Sequence, residues 1–271
     1  MTTQSTAEPV IEPALPIVDA HHHLWFLSQA ALAARDKEVS IAARALTPTI
    51  HRCARYLFDE FMTDLKTGHN VRASVFVDAH AMYRASGPEA MKSVGEVEFA
   101  NGFAAVAASG VFGDVKVCAG IVGNVDLRLG DAAEDVLRAH LEVGGGRYRG
   151  VRCAVLMGYD DDSTILGSGV PHLLLDETFR AGIKCLQRLG LSFDAFVLEP
   201  QLPELINLAR TFPETQIILN HAGVPVGVGR YAGLREARFS IWGENIRTLS
   251  ASPNVAVKLG GLGIPFGGFK S

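Results

Sequence analysis

Seven short apolar runs recur along the chain: PIVDAHHHLW (16–25), VRASVFVDAH (71–80), VKVCAGIVGNVD (115–126), YRGVRCAVLM (148–157), LSFDAFVLEP (191–200), TQIILNHAG (215–223) and NVAVKLGGLG (254–263). They are rich in Val, Ile and Phe and lack clean polar alternation, the pattern of strands buried on both faces. Helical spacing fills most of the intervals. YLFDEFMTDLKTG (56–68) stops at Gly68, and residues 87–110 read as a helix with a glycine break. DAAEDVLRAHLEVGGG (131–146) opens on Asp131 as an N-cap and closes on three glycines. DETFRAGIKCLQRLG (176–190) and QLPELINLARTFPE (201–214) repeat the form. Strand alternating with helix predicts βαβ units and a parallel sheet.

A doubly wound sheet would mark its first strand with a glycine-rich phosphate turn. Here the first strand ends in three histidines and no GxGxxG follows. The expected fold is therefore α/β, a (β/α)8 TIM-type barrel over 16–271, preceded by a short flexible arm over 1–15. Residues 24–55 form an insertion after the first strand, part of it (AALAARDKEVSIAARAL) helical in pattern. The stretch 224–247 reads as a loop over the same face. Insertions after barrel strands lie on the catalytic face, so a lid and a packing appendage both stay open for them.

Composition narrows the partners. Of 271 residues, 48% are hydrophobic, enough for a large core, and the net charge is −4 with no basic stripe. Nucleic acid is not an expected partner. No apolar stretch approaches the roughly 18 to 20 residues that span a bilayer, and the polar opening MTTQSTAEPVIEPALP lacks the pattern of a secretory signal. Cys53, Cys118, Cys153 and Cys185 form no CxxC pair and read as free thiols. A cytoplasmic location is expected, with the oligomeric state left open.

The chemistry gathers at strand ends. In Asp19-Ala20-His21-His22-His23, alternate side chains share a strand face, so His21 and His23 point together and His22 away. Two imidazoles on one face can grip a divalent metal or a carbonyl oxygen. His221 closes QIILNHAG, and in a barrel such ends converge on one site. Arg152, inside a buried strand, needs an anion or acceptor: a substrate carboxylate or a structural partner. Asp78 and His80 end the second strand and are candidates to line the mouth, extended by Tyr83 and Arg84. Lys258 ends the seventh, to hold substrate or a buried carboxylate. Asp194, Glu199, Asp126 and Arg128 are weaker candidates. No GxSxG, Walker loop, HExxH or EF-hand pattern is present.

VDAHHHLW, GVR on the fourth strand, LSFDAFV leading to QLPELINLA, IILNHAG and NVAVKLGGLG occur in the order found in the amidohydrolase-2 family. The chain resembles the branch of sugar lactonases and 2-pyrone-4,6-dicarboxylate lactonase over roughly residues 16 to 265. The resemblance implies a distorted barrel with its site at the strand ends. It implies that His21, His23 and His221 either bind a divalent ion, usually zinc, or polarise the substrate carbonyl without metal. It implies a small-molecule substrate, a lactone or carboxylate-bearing compound, opened by water. The family's proton acceptor is an aspartate on an eighth strand, in a segment this sequence, ending at Ser271, does not contain. A C-terminally truncated barrel with two raw strand edges is expected, unstable or prone to associate. A decarboxylase of the same superfamily and an inactive remnant are the alternatives to a hydrolase.

Overall fold

The computed structural model describes residues 9–153, 155, 165 and 170–267. The first eight residues of the arm, positions 154, 156 and 157 of the fourth run and the last four residues of the expected barrel lie outside these. Seven strands form one sheet: β1 (Pro16–His22), β2 (Asn70–Val77), β3 (Lys116–Gly123), β4 (Tyr148–Cys153), β5 (Ser192–Ala195), β6 (Ile217–Leu219) and β7 (Val255–Val257). Each falls within or beside one of the seven apolar runs. Spatial order follows chain order without a reversal, and every neighbouring pair is parallel. A doubly wound sheet reverses its order at a switch point; this one curls in a single direction, as the wall of a partial (β/α)8 barrel does. Among the described residues β1 and β7 are its two unpaired edges.

The helices α3 (Phe58–Leu65), α4 (Val94–Ala108), α5 (Ala133–Val143), α6 (Glu177–Leu189) and α7 (Leu202–Thr211) cover the outer face. Phe76, Val97, Ile121, Leu137, Val151, Ile183, Leu186, Phe193 and Ile217 are fully removed from solvent there. Each such side chain contributes roughly 1.5–3 kcal/mol. Two buried polar groups tie this layer together. Asn254 Nδ2 donates to the carbonyls of Ala209, Phe212 and Thr215 at 3.0–3.2 Å, tying the start of β7 to the end of α7. His140, also buried, lies 3.0 Å from both Ser93 Oγ and Tyr148 Oη.

The insertion after β1 contains α1 (Gln29–Arg35) and α2 (Ile41–Arg52), each begun by a serine whose Oγ accepts an amide of the first turn at 3.2 Å. A two-residue antiparallel ladder, Trp25–Phe26 with Arg55–Tyr56, closes it off.

Three expectations are corrected. Residues 235–249 are not loop but the helix α8 (Arg235–Leu249). Its sequence hides this because polar anchors hold it: Trp242 Nε1 donates to Ala222 O at 2.8 Å, and Arg238 grips the buried Glu199 carboxylate. Helix α4 runs unbroken through Gly102. Asp131 does not cap α5, which starts two residues later behind a 3-10 turn; its carboxylate lies 3.6 Å from Arg188. The four cysteines are free, and Cys118, Cys153 and Cys185 are buried. No described helix is long and apolar enough to cross a membrane.

Candidate active site

The site begins with an irregularity in β1. Asp19 pairs with Ser74 but His22 pairs with Phe76, so β1 carries one extra residue across this interval. Asp19 Oδ1 accepts the His21 amide at 3.0 Å inside the bulge. His22 goes to the outer layer, stacked on Phe61 at 4.2 Å and 3.6 Å from Cys118 Sγ. His21 and His23 turn to the other side, their Nε2 atoms 3.2 Å apart. His23 Nδ1 is 2.8 Å from Val77 O. A carbonyl only accepts, so the proton sits on Nδ1 and Nε2 presents a lone pair.

His221 arrives from the far side of the sheet. Its ring lies 4.7 Å from that of His21, although their strands are separated by four others in sheet order. Only a curled sheet permits this contact. The backbone after β6 is left-handed at His221 (φ 53°), Ala222 (φ 52°) and Val224 (φ 27°), a strained turn that the surrounding structure must hold. Part of the hold is Gly261 (φ +70°): a Cβ there would sit 2.1 Å from His221 Nδ1. Phe196 closes edge-on against His221 at 5.4 Å and lies 5.4 Å beneath the Arg152 guanidinium.

Two cations flank the imidazoles, and each is held by a buried carboxylate. Arg152 Nε donates to Asp78 Oδ1 at 2.7 Å and Nη2 to Asp78 O. Nη1 lies 3.3 Å from His21 Nε2. Lys258 Nζ donates to Asp194 Oδ2 at 2.6 Å, and Asn220 Nδ2 donates to the same oxygen at 3.1 Å. Burial first, and then the neighbouring groups (Arg152 for His23 and His221, the His23 ring ahead of Arg152 for His21), hold all three rings neutral. His23 is pushed down to about 3 and His221 to about 4; His21 is lowered furthest.

A cavity of about 1020 Å³ opens onto the three rings between the β1 and β7 edges. Ile17, Val18, Val257, Lys258 and Leu259 border it.

Not every candidate joins this cluster. His80 is on the rim, over half exposed, with Nε2 3.4 Å from Asp78 Oδ2 and Tyr83 Oη 3.3 Å from its Nδ1. Arg84 pairs with Glu98, Arg128 with Asp126, and Glu199 with Arg238. Phe196 and Glu96 were not foreseen. Phe196 reads as one more strand aromatic in LSFDAFV. The signal for Glu96 was a carboxylate between Val94 and Val97 on the apolar side of a helix.

A family model described as Amidohydrolase matches residues 18–267. The chain belongs to the amidohydrolase family. An uncharacterized protein, y4mH, of Sinorhizobium fredii is 32% identical over 251 residues, covering 92% of this amidohydrolase and 74% of that protein. An L-fucono-1,5-lactonase of Burkholderia ambifaria is 30% identical over 144 residues, 53% of this chain and 43% of the lactonase. Among solved structures, an amidohydrolase from Burkholderia multivorans with bound zinc superposes with a TM-score of 0.61 at 24% identity, over 90% of this chain and 69% of that one. A probable 2-pyrone-4,6-dicarboxylic acid hydrolase from Acinetobacter baumannii, with citric acid bound, gives 0.51 at 13%, over 91% and 71%. At such identities the structural likeness is one of fold.

A divalent ion is the cofactor that the fold family implies. Tetrahedral zinc with Zn–N of about 2.0–2.1 Å separates two ligand nitrogens by roughly 3.3 Å, so the His21/His23 pair would suit two corners. The rest does not fit. Among the described residues no group of three or more His, Cys, Asp or Glu side chains is arranged to hold a metal. The Arg152 guanidinium already lies 3.3 Å from His21 Nε2, and Lys258 adds a second positive charge nearby.

Proposed function

We propose that this amidohydrolase opens a lactone or a related cyclic ester by addition of water. The observation that carries the reading is the approach of Arg152 Nη1 to neutral imidazoles at the strand ends of a curled parallel sheet. A carbonyl oxygen bound there meets the N–H groups of the fixed Arg152 guanidinium in a partly water-excluded setting, the arrangement that stabilises a developing alkoxide. Arg152 and Lys258 also favour a substrate that carries a carboxylate. Asp194, whose Lys258 and Asn220 bonds both fall on Oδ2, takes the proton of the attacking water in this scheme. No step passes through a metal. His80 contributes from the rim. The free thiols support a cytoplasmic location.

The test is acid release from L-fucono-1,5-lactone and from 2-pyrone-4,6-dicarboxylate, followed by indicator or pH-stat. His21→Ala, His221→Ala and Arg152→Ala are each expected to lower kcat/KM at least roughly tenfold, about 1.4 kcal/mol on the barrier. Hydrolysis that survives all three substitutions unchanged removes the site from the chemistry. A second reading is a chain that binds such compounds without turning them over. It is favoured by one observation: Asp78 and Asp194, the carboxylates beside the rings, are both already paired with cations. Binding by calorimetry without acid release would decide for it.

A further inference from the structure

The helix α4 sends one carboxylate into the protein where no charge is needed for packing. Glu96 is 1% exposed. Its Oε1 accepts the amides of Ala79 and Ala81, both at 2.9 Å. These two amides bracket His80, whose φ is 54°, and Met82 follows at φ 56°. Two left-handed residues with side chains in one short turn are strained and persist only where the surroundings impose them. The helix is seated directly on this turn: a Cβ on Gly95 would lie 2.8 Å from both Arg84 N and Met82 O. Contact that close leaves the turn no room to relax.

The peptide between Asp78 and Ala79 links this turn to the imidazole cluster. Its N–H is the one that Glu96 holds. Its C=O, on the opposite edge of the same trans-planar unit, is the acceptor for Arg152 Nη2. The Asp78 amide is fixed in turn by Val122 O at 2.8 Å. Rotating that peptide plane would swing the carbonyl off Arg152 while the Oδ1–Nε bond alone remained. A guanidinium held at one point can pivot; held at two it points Nη1 at His21. Glu96 touches neither His21 nor the cavity beside it.

We propose that Glu96 is the positioning residue for Arg152, acting through the Asp78–Ala79 peptide plane. The proposal rests on the reading that Arg152 serves the site described above. Burial and the nearby Asp78 raise the Glu96 carboxyl to about 8, the mark of a desolvation cost that an apolar residue would avoid.

The test uses the full chain, labelled with 15N, and the Arg152 Nε–H resonance assigned by its loss in Arg152→Lys. Glu96→Ala is expected to shift and broaden that resonance and to lower kcat/KM roughly tenfold on the lactones above. Glu96→Gln keeps an acceptor in place and is expected to restore the resonance and stay within about threefold of wild type. Where Glu96→Ala does not fold, Glu96→Asp, one methylene short, is expected to show the same broadening. An unchanged Arg152 resonance in folded Glu96→Ala or Glu96→Asp overturns the proposal, as does a Gln variant that behaves like Ala. Broadening with no change in turnover would instead leave the positioning role standing and count against the functional reading of Arg152.

Discussion

Asp78→Ala is the substitution whose consequence the structure specifies most closely. Asp78 is 1% exposed and Arg152 9%. The carboxylate is the counter-ion of a guanidinium that otherwise faces His21 and Phe196. Removing it leaves a buried cation beside an imidazole that cannot accept a charge. Breaking a buried pair from one side costs about 3–5 kcal/mol, because the remaining ion keeps its desolvation penalty and loses its partner. The same pair removed from both sides costs far less. Asp78→Ala alone is therefore expected to lower unfolding free energy by about 3–5 kcal/mol. Asp78→Ala with Arg152→Met, similar in length and uncharged, is expected to recover more than half of that loss. Urea unfolding followed by far-ultraviolet circular dichroism and tryptophan fluorescence measures both, and the double-mutant cycle isolates the coupling. A loss below about 1 kcal/mol in the single variant, or no recovery in the double, would refute the view that the two charges hold one another.

Gly261→Ala places a methyl 2.1 Å from His221 Nδ1 at a left-handed φ of +70°; it is expected to displace the His221 ring and cut turnover at least tenfold, and wild-type kinetics would show that the ring tolerates movement. The buried His140 is pushed down to about 4 by burial, so its stabilising contribution is present above its ordinary 6.5 and is lost as pH falls through about 4. That contribution is on the order of 3 kcal/mol. Stability measured from pH 7 to 4 should fall more steeply in the wild type than in His140→Asn, and identical slopes would disprove a buried neutral ring. Exhaustive chelation is expected to leave the melting temperature and acid release unchanged; a melting temperature that rises on zinc addition would mean that the imidazoles rearrange to accept the ion.

The alternation of apolar runs with helical spacing was sufficient for a parallel α/β sheet, and all seven strands were legible because strands buried on both faces must be apolar throughout. The HxH pair and the histidine of NHAG were legible as candidate site residues for the same reason: a polar side chain closing an apolar strand stands out at the strand's end. Helix α8 was not legible, since tertiary anchors at Trp242 and Arg238 replace the apolar stripe that periodicity detects. Nor could the chain in one dimension tell Arg152 as a substrate clamp from Arg152 as a partner of Asp78; 74 positions separate the two. Glu96 left only a weak trace, its place between Val94 and Val97, because a carboxylate on a helix reads as solvated until its neighbours are known. Local pattern depends on whether each residue is wet or dry, and sequence carries that directly. Which buried charge meets which depends on how the sheet curls, and that is decided only when the distant strands close on one another.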